Sequence, residues 1–497
     1  MLSVSGCRGV VGDTLTPDVA ARFAMAFGGF VKERAGGKPV NVVLARDGRA
    51  GCGMIHHAAT AGLMGAGVSV VDIGVAMTPT AAVVVDDVAA RYPGEVSAGL
   101  MLTASHNPQQ WNGLKCLYAA GPAGGGLFGS GASAPASTDA NAIIERFKAG
   151  SFLAGSGGAA WNEIRPVTLE DDACNIHVDR VLAALEEGGF GDSSAIGAGL
   201  SVAVDSVNAA GVTGSALALE SFGIEEFLHL GSEDTGIFPH PPEPTRENLS
   251  VVGGLCDSVR EAECDVGFAQ DPDADRLALV DEKGHYIGEE YTLALCAMAI
   301  LEARKTLTGD PADALTLVTN LSTSRMLDDV AAKYGARVVR TAVGEANVVE
   351  AMKRERAVLG GEGNGGIIWP RVCYVRDSIA GMGLILWLLS PNGGGRGRKR
   401  KLSELVAGIP SYAIQKRKVD LASKDQATDA VRRIAAAYAS ERVDTTDGAW
   451  VDFGAKRSWL HVRASNTEPI MRLIAEAPTA AEADRVLDGA LDVIGTR

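Results

Sequence analysis

Short apolar runs rich in β-branched residues alternate along this chain with stretches of helical periodicity, and this alternation constrains the fold more than any other feature. A helix is expected from Thr16-Pro17, an N-cap and a first helical residue, to about Lys32. Strands are expected at residues 41–45, 69–73, 201–205, 265–269, 315–319 and 357–359, and a second helix at about 54–64. The alternation predicts α/β domains. The last hundred residues carry a different, smaller pattern of strands and helices.

Chain length and charge limit the classes of protein to which this sequence can belong. With 497 residues the chain is too long for one compact core, so three or four domains are expected. Hydrophobic residues make up 46% and charged residues 22%, which is ordinary for globular proteins. The net charge of −15 argues against a general nucleic-acid binder, although a local basic pocket can still bind an anionic substrate.

Cysteine spacing and the apolar runs predict the compartment. None of the eight cysteines forms a C-x-x-C pair, so neither a zinc motif nor a thioredoxin-type motif is visible. We expect mainly buried, reduced thiols in a cytoplasmic protein. The first residues lack a basic region followed by an apolar stretch, which predicts no signal peptide. The longest apolar run, residues 379–389, is too short to span a bilayer, so no membrane association is expected.

The run Thr103-Ala104-Ser105-His106-Asn107-Pro108 places a serine beside a histidine in a segment closed by proline. Proline ends regular structure, so the Ser105 hydroxyl is expected on a turn that chemistry can reach. Lys115 follows closely in sequence, and a serine near a cation suits nucleophilic or phosphoryl chemistry. A polar surface turn without chemistry is the alternative for this run.

The run Asp271-Pro272-Asp273-Ala274-Asp275-Arg276 alternates three carboxylates. In an extended loop such oxygens converge on a hard cation such as Mg²⁺, and without a counter-ion they would repel one another. A calcium-binding EF-hand is one alternative, because Glu282 stands at the twelfth loop position, but Arg276 stands where the sharp turn needs glycine. A solvated acidic turn without metal is the other alternative.

Two further polar runs follow predicted strands. Glu362 and Asn364 lie within a glycine-rich segment, residues 360–366, and have side chains suited to bind sugar hydroxyls. Near the C-terminus, Arg463-Ala464-Ser465-Asn466-Thr467 offers groups that suit a phosphate dianion, and Arg472 follows as an additional candidate ligand. A flexible loop and a surface salt bridge are the respective alternatives.

Other charged or glycine-rich segments carry weaker signals. Arg8 adds positive charge near the N-terminus, whereas Arg46 and Asp47 fit a structural ion pair at least as well as catalysis. Residues 392–401 combine glycines with a basic run, for which a solvated linker is favoured over phosphate or RNA binding. Residues 121–137 and 155–160 resemble flexible insertions.

These motifs in this order resemble those of the α-D-phosphohexomutases, the family of phosphoglucomutase, phosphomannomutase and phosphoglucosamine mutase. The matching runs are residues 103–108, 112–115, 238–239, 248–249, 271–276 and 463–469. The resemblance implies an α/β protein with four domains around a central cleft: three similar mixed α/β domains and a smaller C-terminal α+β lid. We expect these domains at residues 1–165, 166–285, 286–405 and 406–497, and each contributes one loop to the cleft.

The resemblance also implies residue roles. Ser105 would carry the phosphoryl group, and one Mg²⁺ per chain would bind its phosphate together with Asp271, Asp273 and Asp275. The groups expected to stabilise charge or move protons are Arg8, His106 and Lys115. The groups expected to bind the substrate are Arg276, Glu362, Asn364, Arg463, Ser465, Asn466, Thr467 and Arg472. Hexose 6-phosphate and hexose 1-phosphate would interconvert through a hexose 1,6-bisphosphate, which also serves as activator.

This sequence departs from the family pattern where some members carry a histidine. Gly366 ends the glycine-rich loop, and Gly344-Glu345 occupies the other position, so proton transfer there must use other groups. The form of the loop favours glucosamine phosphate as substrate over mannose or glucose phosphate. We expect a monomer or homodimer that binds a small sugar phosphate and no nucleic acid.

Three other functions compete with a mutase. A non-catalytic sugar-phosphate-binding paralogue would be expected to lack Ser105 or a metal carboxylate, and this chain keeps all four. A serine hydrolase using Ser105 and His106 is disfavoured, because adjacent side chains do not easily form a nucleophile–base pair and no G-x-S-x-G elbow is present. A phosphatase that forms an acyl-phosphate on Asp271 would release phosphate independently of Ser105.

Overall fold

The computed structural model describes residues 2–4, 6–118, 131–150, 158–307, 315–421, 424–464 and 470–495. These residues form four separate β-sheets that follow one another along the chain, with seven, four, four and five strands. The fold therefore has the four-part organisation that the sequence predicts.

The first sheet has the strand order β1-β2-β6-β5-β3-β4-β7. Its strands are β1 (Leu2–Ser3), β2 (Gly6–Val10), β3 (Val40–Arg46), β4 (Ser69–Val75), β5 (Val96–Leu102), β6 (Trp111–Tyr118) and β7 (Val167–Leu169). Its helices are α1 (Pro17–Arg34), α2 (Cys52–Gly65), α3 (Thr78–Arg91) and α4 (Ser137–Ala149). The α1 helix starts at Pro17 as predicted. Lys32 and Arg34 lie in its last turn, where positive charge interacts favourably with the negative end of the helix dipole.

The second sheet has the order β11-β10-β8-β9. The elements of this part are α5 (Ala173–Glu187), β8 (Val202–Asp205), α6 (Gly211–Ser221), β9 (Phe227–Leu230), α7 (Arg246–Leu249), α8 (Leu255–Glu261), β10 (Val266–Gln270) and β11 (Leu277–Asp281). A short 3₁₀ helix, Ser193–Ala195, precedes β8.

The third sheet has the order β13-β12-β14-β15. Its elements are α9 (Glu289–Leu307), β12 (Thr316–Asn320), α10 (Met326–Tyr334), β13 (Arg337–Thr341), α11 (Glu345–Glu355), β14 (Leu359–Glu362), β15 (Gly366–Ile368), α12 (Ser378–Leu389) and α13 (Leu402–Ala407). The α12 helix contains the longest apolar run of the sequence and is buried along its whole length.

The fourth sheet is antiparallel throughout, in the order β16-β20-β19-β18-β17. The elements are β16 (Ala413–Asp420), α14 (Lys424–Ala437), β17 (Arg442–Asp444), β18 (Ala449–Phe453), β19 (Ser458–Ala464), β20 (Ile470–Ala477) and α15 (Ala480–Ile494). A second 3₁₀ helix, Gly454–Lys456, precedes β19. This last part is the predicted smaller α+β unit.

The first three sheets share one four-stranded motif. A central strand pairs in parallel with two neighbours, and one of these neighbours forms an antiparallel hairpin with the next strand. The motif consists of β3 to β6, then β8 to β11, then β12 to β15. The three hairpin loops are residues 103–110, 271–276 and 363–365. Each loop follows the carboxyl end of a strand with parallel partners, where α/β sheets usually bind ligands.

One continuous apolar core joins the first three sheets. Residues from all three pack in a single buried cluster, among them Val43, Val204 and Leu317. The fourth sheet packs its own cluster against α14 and α15. Four domains are confirmed, but the boundaries given above stay predictions; β7 joins the first sheet at residues 167–169, after the boundary expected at 165.

Several lesser expectations can be compared with the fold. The basic run is exposed but is not a free linker, because Lys399 pairs with Asp265 and Arg400 contacts Glu302. Of the expected insertions, residues 121–130 and 155–157 lie outside the described residues. All eight cysteines are free thiols, and all except Cys174 are buried. Among the described residues, no helix combines the length and apolar character needed to cross a membrane.

Candidate active site

The hairpin loops of the first three sheets meet at one place. Ser105 in the first loop donates a hydrogen bond of 2.8 Å from Oγ to Oδ2 of Asp271 in the second. Lys115, on the strand after the first loop, lies with Nζ 3.1 Å from Oδ2 of Asp275. Glu362, at the entry to the third loop, is joined to Asp275 through a shared arginine, Arg376. The structure thus brings together residues that the sequence separates by more than 250 positions.

The serine loop is held in an unusual backbone conformation. Ser105 has φ of 51°, in the left-handed region that costs energy for a residue other than glycine. Its N–H donates to Thr103 Oγ1 at 2.8 Å, and its carbonyl accepts from Arg49 Nη2 at 2.5 Å. Arg49 is fully buried and pairs with Asp47, so Asp47 takes Arg49 as its partner rather than the expected Arg46. This buried pair fixes the loop and presents the hydroxyl towards Asp271.

The three carboxylates of the second loop form a compact, buried cluster. One oxygen from each of Asp271, Asp273 and Asp275 lies within 4.8 Å of the others. Thr78 donates to Asp273 Oδ2 at 2.6 Å, but Asp273 Oδ1 and Asp275 Oδ1 are buried with no hydrogen-bond partner among the described residues. Unpaired buried carboxylate oxygens are costly unless a cation satisfies them. The cluster therefore fits a hard divalent cation such as Mg²⁺.

The EF-hand alternative is excluded by the position of Glu282. That residue follows the five-residue strand β11, which carries it away from the cluster. Its carboxylate oxygens instead accept hydrogen bonds from the N–H and hydroxyl of Ser403. Glu282 therefore has a structural role, as a link between the second and third parts of the chain.

Burial and neighbouring charges shift the acids in opposite directions. Burial, followed by the charges of Asp273 and Asp275, raises the pKa of Asp271 well above its usual value. Burial also tends to raise the pKa of Asp275, but Arg376 and Lys115 outweigh it and hold this pKa below its usual range. The first carboxylate thus lacks compensating charge, which a bound cation would supply.

The predicted basic groups surround the cluster. Burial tends to lower the pKa of Lys115, but Glu345 and Asp275 raise it, so the ammonium is favoured. Burial lowers the pKa of Arg8, with Asp273 opposing that effect. His106 lies with Nδ1 3.4 Å from Ser105 Oγ, and burial with the charge of Arg276 lowers its pKa to about 4.

Arg276 closes the acidic loop from its own end. Its backbone N–H donates to Asp271 Oδ1 at 3.2 Å, and its Nε lies 3.8 Å from Asp271 Oδ2. Since the ion pair is long, the guanidinium is placed beside the cluster rather than locked onto it. The role of Arg276 in substrate binding stays a prediction.

The two polar side chains predicted in the glycine-rich loop, residues 360–366, differ in their hydrogen bonds. Glu362 is buried, with Oε1 accepting from Asn320 at 2.9 Å and Oε2 from Arg376 at 3.3 Å. Asn364 uses its Oδ1 to accept the N–H of Gly366 at 3.3 Å within the same turn. Glu362 is therefore held by residues of other strands and loops, whereas the bond of Asn364 stays within its own turn.

Arg376 is a residue of this site that the sequence analysis did not identify. Its guanidinium lies 2.5 Å from Asp275, 2.8 Å from Glu345 and 3.3 Å from Glu362. A Cβ added at Gly366 would lie 2.1 Å from Arg376 Cδ, so this side chain fills the space beside the loop's last glycine. The one sequence feature that could have drawn attention to Arg376 is its position just before Asp377, the N-cap of the buried helix α12.

The predicted phosphate-binding residues are only partly described. Arg463 on β19 and Arg472 on β20 are directly paired across the fourth sheet. Arg463 also forms an ion pair with Asp447 at 2.9 Å, and Asp447 accepts the N–H of Val343 from the third part. Three further predicted residues lie outside the described part of the chain: Ser465, Asn466 and Thr467.

Comparison with known sequences and structures identifies the family. Profiles of the phosphoglucomutase/phosphomannomutase alpha/beta/alpha domains I, II and III match residues 2–125, 182–284 and 289–412, and that of the C-terminal domain matches 417–493. A probable phosphoglucosamine mutase of Methanopyrus kandleri is 33% identical, covering 99% of this chain and 96% of its own. A phosphoglucomutase/phosphomannomutase of Thermococcus kodakarensis is also 33% identical, covering 97% and 96%.

A solved structure has the same architecture. It is a phosphoglucomutase/phosphomannomutase family protein from Burkholderia thailandensis, with a TM-score of 0.76 and 26% identity, covering 100% of this chain and 98% of that one. All four profiles follow one another in the expected order along the chain. The chain belongs to the phosphoglucomutase/phosphomannomutase family of phosphohexomutases.

Proposed function

We propose that this protein is a Mg²⁺-dependent phosphohexomutase that interconverts hexose 6-phosphate and hexose 1-phosphate through a phosphoserine at Ser105. The observation that carries this proposal is the 2.8 Å contact between Ser105 Oγ and Asp271, beside two buried carboxylate oxygens without partners among the described residues. A phosphoryl acceptor next to a cation site suits this reaction, since phosphoryl transfer depends on positioning and charge neutralisation.

The metal site would consist of Asp271, Asp273 and Asp275 with an oxygen of the phosphoserine. When bound, Mg²⁺ supplies Lewis-acid stabilisation of the phosphoryl oxygens. The protein itself buries the three carboxylates, and Thr78 fixes that of Asp273 by a 2.6 Å hydrogen bond. Lys115 and Arg8 add positive charge beside the cluster.

The sugar phosphate would bind where the hairpin loops of the first three parts face the fourth part of the chain. Glu362, Asn364 and Arg276 would contact the sugar. The groups that would bind its non-reacting phosphate are Arg463, Arg472, Ser465, Asn466 and Thr467. The bisphosphate intermediate must present each of its two phosphates to Ser105 in turn, so one phosphate-binding site has to serve two orientations. A lid that opens partly would permit this rotation.

Glucosamine phosphate is the sugar phosphate we favour. Support comes from the relative in Methanopyrus kandleri, whose name is probable phosphoglucosamine mutase. The Thermococcus kodakarensis relative, at the same identity, supports glucose and mannose phosphates as the alternative. A non-catalytic sugar-phosphate-binding paralogue is a third candidate, disfavoured because Ser105 and the three carboxylates are all present.

The test is ³¹P NMR of the purified protein with Mg²⁺ and a trace of hexose 1,6-bisphosphate as activator. Glucosamine, mannose and glucose 6-phosphates are supplied in turn. Appearance of a 1-phosphate signal is expected, and the fastest sugar identifies the substrate. If none of the three is converted although Ser105 is phosphorylated, the mutase proposal for these sugars fails. Release of inorganic phosphate by the Ser105→Ala variant would instead indicate a phosphatase.

A further inference from the structure

Glu345 is an acid of the active site to which none of the predicted motifs gives a role. It is the first residue of α11 and follows Gly344, whose φ of 126° turns the chain into the site. Its side chain is 9% exposed and lies 2.8 Å from Arg376 Nε and 3.8 Å from Lys115 Nζ. Neither carboxylate oxygen makes a hydrogen bond of acceptable geometry among the described residues. Both carboxylate oxygens are therefore enclosed by the protein without a hydrogen-bond donor of their own among the described residues.

The carboxylates of Asp275 and Glu362, in contrast, already have cationic or hydrogen-bonding partners. Asp275 receives both Lys115 at 3.1 Å and Arg376 at 2.5 Å, and it belongs to the metal cluster with Asp271 and Asp273. Glu362 has both oxygens hydrogen-bonded, one to Asn320 and the other to Arg376. Glu345 is thus a carboxylate outside the metal cluster with neither oxygen hydrogen-bonded among the described residues, and it lies beside Arg376 and Lys115.

Phosphoryl transfer to a sugar needs such a group. The attacking hydroxyl must lose its proton as the new bond to phosphorus forms, and a positioned acceptor accelerates this step. The glycine-rich loop has no room for a histidine at Gly366, because a Cβ there would lie 2.1 Å from Arg376 Cδ. Glu345 lies in this part of the site, beside Arg376 at 2.8 Å and Lys115 at 3.8 Å.

We propose that Glu345 is the general base and general acid of the reaction, an inference that rests on the proposed mutase function. Glu345 takes the proton of the sugar hydroxyl as the sugar O–P bond forms and the Ser105 Oγ–P bond breaks. Ser105 leaves with the electron pair of that bond and takes up a proton from solvent. In the second half the other phosphate returns to Ser105, whose proton is released to solvent, and Glu345 protonates the departing sugar oxygen. A full cycle consumes no proton.

The experiment compares Glu345→Gln and Glu345→His with the wild type, with Glu355→Gln as matched control. Glu355 lies at the other end of α11, where it pairs with Arg337 and Arg354. We expect kcat of Glu345→Gln to fall by about 10² to 10⁴, the usual effect of losing a general base, with KM within about threefold of wild type. The control should match the wild type in both constants.

Glu345→His separates proton transfer from a purely structural role. Imidazole is a proton acceptor, so this variant should recover at least about tenfold in kcat over Glu345→Gln. The acid limb of its kcat profile should lie at higher pH than in the wild type, because imidazole ordinarily binds a proton at higher pH than a carboxyl group does. A counter-ion for Arg376 and Lys115 would give neither effect, since histidine adds no negative charge.

The possible outcomes distinguish a failure of the proposed role of Glu345 from a failure of the proposed mutase function. Wild-type protein that converts none of the sugars would overturn the proposed function and the role of Glu345 with it. An active wild type with kcat of Glu345→Gln within threefold of it would overturn the general base alone. A loss confined to KM, or no recovery in Glu345→His, would assign Glu345 to charge balance. If Glu345→Gln does not fold, Glu345→Ala replaces it, and a kcat within threefold of the wild type in that variant would contradict the inference.

Discussion

Ser105 Oγ donates a 2.8 Å hydrogen bond to Asp271 Oδ2 across 166 positions of sequence. The two residues belong to hairpin loops of different sheets, and each loop has the same place in its own four-stranded motif. The candidate site is therefore built from repeated architecture: the hairpin loop at the same place in three successive motifs contributes Ser105, the acidic cluster and the glycine-rich loop.

Replacing Ser105 by alanine should abolish turnover and leave the fold intact. The side chain is small and buried, and alanine fits the same space, but the phosphoryl acceptor is lost. We expect a fall in kcat of at least about 10³-fold with melting temperature nearly unchanged, measured by the coupled formation of 1-phosphate and by calorimetry. Ser97→Ala is the matched control, since Ser97 is a buried serine whose hydroxyl has no partner among the described residues. Turnover in Ser105→Ala equal to that of the control would refute the assignment.

Binding of Mg²⁺ should stabilise the protein through the carboxylate cluster. A cation bound only to the folded state raises the melting temperature by mass action, and a chelator reverses the effect. In Asp273→Asn the rise should shrink, because the amide keeps the shape but removes a charged ligand. Thermal melts over a Mg²⁺ titration measure this, with the exposed Asp234→Asn as control. An undiminished rise in Asp273→Asn would place the cation elsewhere.

Gly366→Ala tests the space that Arg376 occupies. The added Cβ would lie 2.1 Å from Arg376 Cδ, so the guanidinium must move away from Asp275 and Glu362. We expect kcat to fall at least about tenfold and stability by about 1–3 kcal/mol, the range for overpacking. Gly454→Ala is the matched control, since a Cβ there meets nothing within 4 Å. Equal kinetics in the two variants would show that the position of Arg376 is unimportant.

His461 should make the protein less stable as the pH falls. It is fully buried, and burial lowers its pKa to about 4, with Asp447 opposing the shift. Below about pH 6.5, its usual pKa, the unfolded chain binds a proton that the folded chain does not, so stability is lost as the pH falls towards 4.

The measurement is urea unfolding of the wild type and of His461→Gln at pH 7 and pH 5. The wild type should lose about 2 kcal/mol more than the variant between these two values. Ser322 and Asp447, the hydrogen-bond partners of His461, are retained in both proteins, so the comparison isolates the imidazole. Identical pH dependence would mean that the pKa of His461 does not differ between the folded and the unfolded protein.

Sequence reasoning identified the elements and loops because these depend on local patterns. The predicted strand at 41–45 is β3, Val40–Arg46, and the acidic loop follows β10 as expected. Alternation of apolar strands, proline in a turn and spaced carboxylates are all visible within a few residues of one another. That the serine and acidic loops belong to one site was implied by the resemblance to the phosphohexomutases, and in the structure Ser105 contacts Asp271.

What the sequence could not show was pairing between distant residues. Arg49, Glu345 and Arg376 lie in ordinary stretches of sequence, and their functional neighbours come from other sheets. The sequence alone does not distinguish a buried charged residue from an exposed one, because the partner that allows burial is distant in the chain. The ion pair of Lys399 in the basic run could not be predicted, because its partner, Asp265, lies 134 positions earlier.

The single core shared by the first three sheets determines which parts of the molecule unfold together. Val43, Val204 and Leu317 belong to one buried cluster, so none of these three sheets keeps its apolar face covered without the others. The fourth sheet has its own cluster and meets the third at a small one formed by Leu321, Trp450 and Trp459. Heat should therefore unfold this four-domain protein as two cooperative units rather than four, and substrate bound between those units should bring their transitions together.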